Sequence, residues 1–466
     1  MEIKTFRTPG LGDATYLIVH EGTGLLVDPQ RDVDRFLATV EGLGAQVRFV
    51  LETHIHNDYV SGGREVASLA GAALVVPAAA GVAFDHVPAF HLEDIDAGTG
   101  LSIRPIHTPG HTPEHVSYLI LIDGEPRALF SGGSLLVGAA GRTDLLGQAR
   151  ARQLAILQHG SVQRLASLPG DVELYPTHGA GSFCAAGPTG KSMSTIQLER
   201  EYNPALAHTD GPSFAQAQLA DLQPYPQYFA FMGGINLLGP SPMPKRDLPT
   251  LVPADVVALC EQVRIVDARP RADFAAGHIP GAVGIELGDD FGVWTGWLLP
   301  FNGPLALVMN EDQDLNDAVT QLAQIGFEDV RGVLRGVFQW EQERHPLAEF
   351  KTVTPEQFAA AVRAGAARQI LDVRSPAEWQ ADHLPQAIHG YVPDLADRIP
   401  PELAPEEPVW IACASGYRAA IAAGLVERGG FRPVVLARGG VPDLLHLLSD
   451  RDRPTRKKLG GTEVDE

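Results

Sequence analysis

Residues 53–63 read THIHNDYVSGG. The stretch follows the apolar run RFVLE, so it reads as a strand that delivers His54 and His56 at its end. Ile55 lies between them, and the two-residue period of a strand puts both rings on one side. Asp58 comes next, and Tyr59 stands where a second metal ion would want another imidazole. Downstream, TPGHTPEH presents His111 after a Pro-Gly turn, and YPTHGAG places His178 after another apolar run and before a glycine. A lone histidine reads as structural, whereas four at loop tips that follow strands make a ligand set.

Around these motifs, residues 1–239 mix apolar runs such as TYLIV, ALVVPA and VSYLILI with helical stretches such as ARQLAILQHGSVQRLASL. Strands and helices mixed in this way indicate a layered α/β architecture. The chain has 466 residues, 45% hydrophobic and 20% charged, too many for one core. No apolar run is long enough to span a bilayer. The start, MEIKTFRTPGLGD, has no cationic stretch followed by an apolar core, so no secretory signal is expected. A formal charge of −21 repels nucleic acid and anionic membrane, and neither is expected as a partner. Three widely spaced cysteines, Cys184, Cys260 and Cys413, argue against a disulfide framework. A cytoplasmic location is the resulting expectation. Cys260 lies among apolar neighbours in PADVVALCEQV and reads as core packing, and burial is the favoured reading of Cys184.

Residues 240–252 are proline-rich and lack periodicity, which predicts a linker. Beyond it the chain repeats itself. RIVDARPRADFAAGHIPGAVG, from Arg264, matches QILDVRSPAEWQADHLPQAIHG, from Gln369, with Asp267, Arg269 and His278 aligned on Asp372, Arg374 and His383. The copies, residues 253–347 and 353–450, are each large enough for a small parallel-sheet domain with helices on both faces. Residues 451–466 are polar and read as a loose tail.

In the second copy Cys413 ends the apolar run PVWIA and opens the loop CASGYR, after which helix-forming residues follow. A cysteine between a strand end and a helix N-terminus meets inward-pointing N–H groups, which favour the thiolate. Gly416 lets the loop of Ala414, Ser415, Gly416 and Tyr417 curl, and Arg418 adds a cation. Here the copy resembles the rhodanese family, through LDVRSPAEW, H-L-P-x-A and the C-x-x-G-x-R loop. The resemblance implies that Cys413 carries sulfane sulfur as a persulfide and that Arg418 binds the anionic donor. Cysteine phosphatases use a loop one residue longer, so sulfur transfer is the better fit. Asp372 and Arg374 read as a structural ion pair. Counted from the aligned prolines Pro304 and Pro408, the first copy has Met309 in place of Cys413 and Asp314 in place of Arg418. It is expected to be inactive, with a spacing or docking role.

The first segment resembles the metallo-β-lactamase superfamily, in the order HIHND, TPGHTPEH, FSGGSLLVGAAGRTDLLG, YPTHGAG. Its motif set is closest to the persulfide dioxygenase and glyoxalase II branches. The resemblance implies an αβ/βα sandwich with its metal site at the strand ends. Two positions depart from the family pattern. Tyr59 replaces a histidine of H-x-H-x-D-H, and Gly133 replaces the aspartate of T-G-D. A second ion would keep only Asp58 and His178, so one divalent ion is expected, iron(II) favoured and zinc(II) the alternative. His54, His56 and His111 are left for it, with Tyr59, a water or an anion as further candidates. Arg142 of GRTD reads equally as an anchor for a substrate carboxylate or a bridge to Asp144.

The first expectation is therefore a sulfur-metabolism enzyme. It joins a persulfide dioxygenase-like centre to a rhodanese-type sulfurtransferase. Its small-molecule partners would be a glutathione-like thiol or persulfide and thiosulfate or another sulfane-sulfur donor. A thioester hydrolase with an accessory sulfurtransferase is the alternative, and a non-catalytic scaffold around one active rhodanese is the third. Assembly into a homo-oligomer is left open.

Overall fold

The computed structural model describes residues 1–186, 193–220, 222–243 and 247–449. The tail expected at 451–466 and part of the linker lie outside the described residues. Two compact units divide the chain. The first comprises Met1–Leu248 with Leu287–Pro304 and Asp314–Val330, two pieces cut from within the first repeat; the second takes the remainder. Among the described residues no helix is long and apolar enough to cross a membrane.

The first unit contains two six-stranded sheets. In one, Glu2–Thr8, Asp13–His20, Thr23–Val27, Gln46–Leu51, Ala73–Pro77 and Val87–Ala89 lie side by side in chain order. The first three pair antiparallel and the rest parallel. The other runs Ser194–Thr195, Glu173–Pro176, Glu125–Gly132, Val116–Ile122, Leu101–His107, Ile95–Gly98. Alternation along Asp13–His20 explains the layering: Tyr16 and Ile18 join the core between the sheets, and Leu17 faces outward. That inner core joins Tyr16, Val27, Leu51 and Val75 of one sheet to Ile103, Tyr118, Ile120 and Phe130 of the other. On the outer faces, helices Asp34–Gly42 and Gly63–Ala70 bury Phe36, Val40 and Val66 against the first sheet. Helix Gln148–Ala166 buries Val162 and Leu165 against the second. This is the αβ/βα sandwich the sequence implied.

The second unit holds two five-stranded sheets of one topology. The first repeat orders its strands Thr250–Leu251, Val330–Arg335, Leu305–Met309, Arg264–Asp267, Val283–Gly284. The second orders them Lys351–Val353, Pro433–Leu436, Val409–Ala412, Gln369–Asp372, Ala387–His389. The pairings are parallel. Each sheet carries the same buried clip: Arg269 grips Asp267 with its Nη2 at 2.6 Å, and Arg374 grips Asp372 at 2.7 Å. Cys260 is exposed at the end of helix Pro253–Leu259, so core packing does not account for it.

Candidate functional site

Strand Gln46–Leu51 ends at the inner core and hands on to Glu52, Thr53 and His54, all buried. The Thr53 hydroxyl donates to Asp28 Oδ2 at 2.7 Å, so its oxygen accepts from His54 Nδ1 at 2.8 Å. His54 therefore carries its proton on Nδ1 and presents a bare Nε2. His111 behaves alike: its Nδ1 donates to the Arg142 carbonyl at 2.8 Å, and its buried Nε2 has no partner. His178 gives Nδ1–H to Asp13 Oδ1 at 2.8 Å, and its Nε2 faces His54 Nε2 at 3.4 Å. Three neutral imidazoles thus aim lone pairs at one another, with ligand atoms within 4.8 Å. Burial, reinforced by the neighbouring imidazoles, holds His54 well below its ordinary value and His111 at about 3; burial lowers His178 as well.

This arrangement fits a metal ion. Two nitrogens about 3.3 Å apart match zinc–nitrogen bonds of about 2.0–2.1 Å at a tetrahedral angle. Without an ion, facing lone pairs repel and His111 Nε2 stays buried and unsatisfied, which is costly. Each ring is also oriented from behind, by Thr53, the Arg142 carbonyl or Asp13, as ligating histidines usually are.

His56 is placed elsewhere. Among the described residues, His56 is not grouped with His111 but joins Asp28 and His54 in one candidate metal group and Asp58 and His178 in another. His56 Nε2 lies 3.3 Å from Asp28 Oδ1, 3.2 Å from Glu52 Oε2 and 3.0 Å from the Tyr59 hydroxyl. Burial opposes its charge, but Asp28 and Glu52 outweigh that and raise it well above its ordinary value. Tyr59 stacks on His56 at 4.3 Å, and burial, then Asp28, pushes its phenol far up, so it remains neutral. Asp58 stands behind His178, its Oδ2 3.3 Å from Nδ1, on the side away from His54. Burial and the facing Asp13 push Asp58 up to about 7.

Gly133 leaves the space that the His111 ring fills. A Cβ built there would collide with the His111 ring, 2.7 Å from Nε2. The imidazole occupies the space an aspartate at that position would need. Arg142 is buried and bidentate to Asp144 at 2.7 and 2.8 Å, with Tyr225 beneath its guanidinium. Cys184 is fully buried, and burial, then Asp58 and Asp13, raises its thiol well above its ordinary value. The sequence reading missed Asp13 and Asp28, which lie far from the histidine motifs, and Glu52, which directly precedes Thr53. Asp28 alone gave a local signal, in VDP, where it adopts a φ of 49°.

The second centre lies in the second repeat. Strand Val409–Ala412 ends at Cys413, and helix Tyr417–Arg428 begins four residues later. Cys413 Sγ accepts from the Gly416 N–H at 3.1 Å. Gly416 holds a φ of 90° and leaves no room for a Cβ beside the Ala437 carbonyl, so only glycine closes this turn. Ala414 and Ser415 are exposed at the tip, whereas Cys413 is buried. Arg418 is bidentate to Glu378 at 2.6 and 2.8 Å. Burial opposes ionisation of Glu378, but Arg418 outweighs it and holds the carboxyl at about 2. In the first repeat, Val308 pairs with Asp267 as Ala412 pairs with Asp372, which puts Met309 at the cysteine's place. Asp314 caps helix Leu315–Gln324 there, the position Gly416 takes in the second repeat rather than that of Arg418.

Family models match both segments of the chain. Residues 9–178 match the family model described as the metallo-beta-lactamase superfamily, and residues 252–343 and 354–446 each match that of the rhodanese-like domain. A hydroxyacylglutathione hydrolase of Methylobacillus flagellatus is 33% identical over 205 residues, 44% of this chain and 74% of that protein. The human mitochondrial persulfide dioxygenase ETHE1 is 29% identical over 186 residues, 39% of this chain and 66% of that protein. The chain spans 47% to 74% of the length of such curated relatives. A solved metallo-beta-lactamase from Staphylococcus aureus subsp. aureus COL superposes with a TM-score of 0.64 at 29% identity, covering 72% of this chain and 99% of that one.

Proposed function

Because this chain belongs to the metallo-beta-lactamase superfamily and runs on into two rhodanese-like domains, we propose that it is a sulfur-metabolism enzyme with two working centres. The first oxidises the persulfide of a glutathione-like thiol; the second carries sulfane sulfur on Cys413. The observation that carries the first half is the convergence of bare Nε2 atoms on His54, His111 and His178.

These three histidines would hold one divalent ion. Iron(II), favoured by the kinship with persulfide dioxygenase, supplies Lewis acidity and redox capacity toward a persulfide and dioxygen; zinc(II) supplies the first alone. Thr53, the Arg142 carbonyl and Asp13 fix the three rings. Gln158 accepts the His111 backbone N–H at 2.8 Å and holds that loop. A cleft of about 340 Å³ borders Ile55, Asn57, Thr112, Pro113 and Phe229, sequence neighbours of the ligand histidines among them, and offers space for the organic part of a thiol. In the second centre, the Gly416 N–H and the helix N-terminus stabilise sulfur anions on Cys413. Persulfide, dioxygen and water entering the first centre would leave as thiol and sulfite. A cytoplasmic location and the boundaries 1–239, 253–347 and 353–450 belong to the same proposal.

Hydrolysis of a glutathione thioester is the second reading, favoured by the higher identity to a hydroxyacylglutathione hydrolase. Against it, Tyr59 and Gly133 remove ligands a second ion would need. Metal analysis with oxygen uptake on glutathione persulfide separates the two. The proposal expects iron and oxygen consumption; zinc alone, no uptake and turnover of S-lactoylglutathione would replace it with the hydrolase.

A further inference from the structure

Arg418 is the arginine the sequence assigns to the anionic donor, and the structure keeps it occupied. Both terminal nitrogens are taken by Glu378, at 2.6 and 2.8 Å. Glu378 is itself fixed by the Ser375 hydroxyl at 2.9 Å and the Ser375 N–H at 3.1 Å. The pair is neutral overall, so Arg418 offers an incoming anion no net charge.

A different guanidinium stands beside the loop. Arg438 follows strand Pro433–Leu436, in the turn Ala437–Gly440. That turn touches the Cys413 loop on both flanks of Arg438. On one side the Ala437 carbonyl abuts Gly416; on the other, Val441 N–H donates to the Cys413 carbonyl at 2.8 Å. Arg438 is exposed and has no hydrogen bond or ion pair among the described residues. The first repeat carries an arginine in the same turn, one position earlier. Leu334 matches Leu436 in register, so Arg335 stands at the place of Ala437, one residue before that of Arg438, and it donates to the carbonyl of Asn310, the residue after Met309, at 3.1 Å.

We propose that Arg438 is the donor-recognising cation of the sulfur-transfer centre, and that Arg418 positions the loop through Glu378. This rests on the reading of Cys413 as a sulfur carrier. The Cys413 thiolate attacks the outer sulfur of thiosulfate; the new S–S bond forms as the donor's S–S bond breaks, and sulfite leaves with the bonding pair. Arg438 binds the sulfonate oxygens before the attack and the sulfite after it, through charge-assisted hydrogen bonds.

Two measurements on the full chain test this. Replacing Arg438 with alanine should raise the KM for thiosulfate about tenfold with little change in kcat, the scale of one charge-assisted hydrogen bond. Arg438→Lys should recover most of it. The second measurement compares alkylation of Cys413 by anionic iodoacetate and neutral iodoacetamide, followed on its peptide by mass spectrometry. Arg438→Ala should lower the iodoacetate-to-iodoacetamide rate ratio about tenfold. An unchanged ratio and an unchanged KM overturn the assignment. Alkylation needs no sulfur transfer, so a wild type inactive on thiosulfate would remove the sulfur-carrier reading while the ratio still decides the role of Arg438.

Discussion

The two rhodanese-like repeats share a frame and differ in the loop that frame presents. Both order their five strands alike, and both lock an Asp-x-Arg clip at the end of the strand next to the edge strand. In the second, the strand hands on to Cys413 and the helix starts after a further three-residue turn closed by Gly416. In the first, the strand ends in Met309 and the helix starts after Asn310–Asp314, with the Asp314 carboxylate as its cap. A thioether cannot carry sulfane sulfur, and an anion at the helix start repels an anionic donor. The fold therefore survives the loss of chemistry because the clip and the strand register, not the loop, hold each sheet.

The largest effect that can break this comparison is on turnover. Cys413→Ser should abolish sulfur transfer, by at least about a thousandfold. Met309→Cys, even in the presence of native Cys413, should add none, because Asp314 and the longer turn remain. A gain of transfer from Met309→Cys in a Cys413→Ser background would show that the loops are interchangeable. The next effect is on stability and should be equal in the two copies. Asp267→Asn and Asp372→Asn each leave a buried arginine uncompensated, at a cost of about 3–5 kcal/mol. Denaturant unfolding should show both losses, and only Asp372→Asn should also reduce sulfur transfer. Unequal losses would mean that the shared frame is not what holds the two sheets.

Most of the frame was legible in the sequence because it is local. The repeat, the strand ends and the glycine turn each sit within a few residues. The candidate ligand set was only half legible. His54, His111 and His178 are plain in their motifs, but the side on which each ring lies is decided by distant partners. His56 is drawn off by Asp28, 28 residues before it, and by Glu52. His178 is turned toward His54 by Asp13, 165 residues away in the chain. The aspartate missing at Gly133 was visible as an absence; that the His111 ring fills its space was not. Likewise the spacing of C-x-x-G-x-R could not reveal that Glu378 occupies Arg418.

The central claim is the proposal that one ion is held by His54, His111 and His178 rather than by a set that includes His56. The most direct test is the metal content of the purified protein and of its His56→Ala and His178→Ala variants, by mass spectrometry of the bound ion. The account predicts about one ion per chain in the wild type and in His56→Ala, and its loss in His178→Ala. Retention by His178→Ala together with loss from His56→Ala would contradict it.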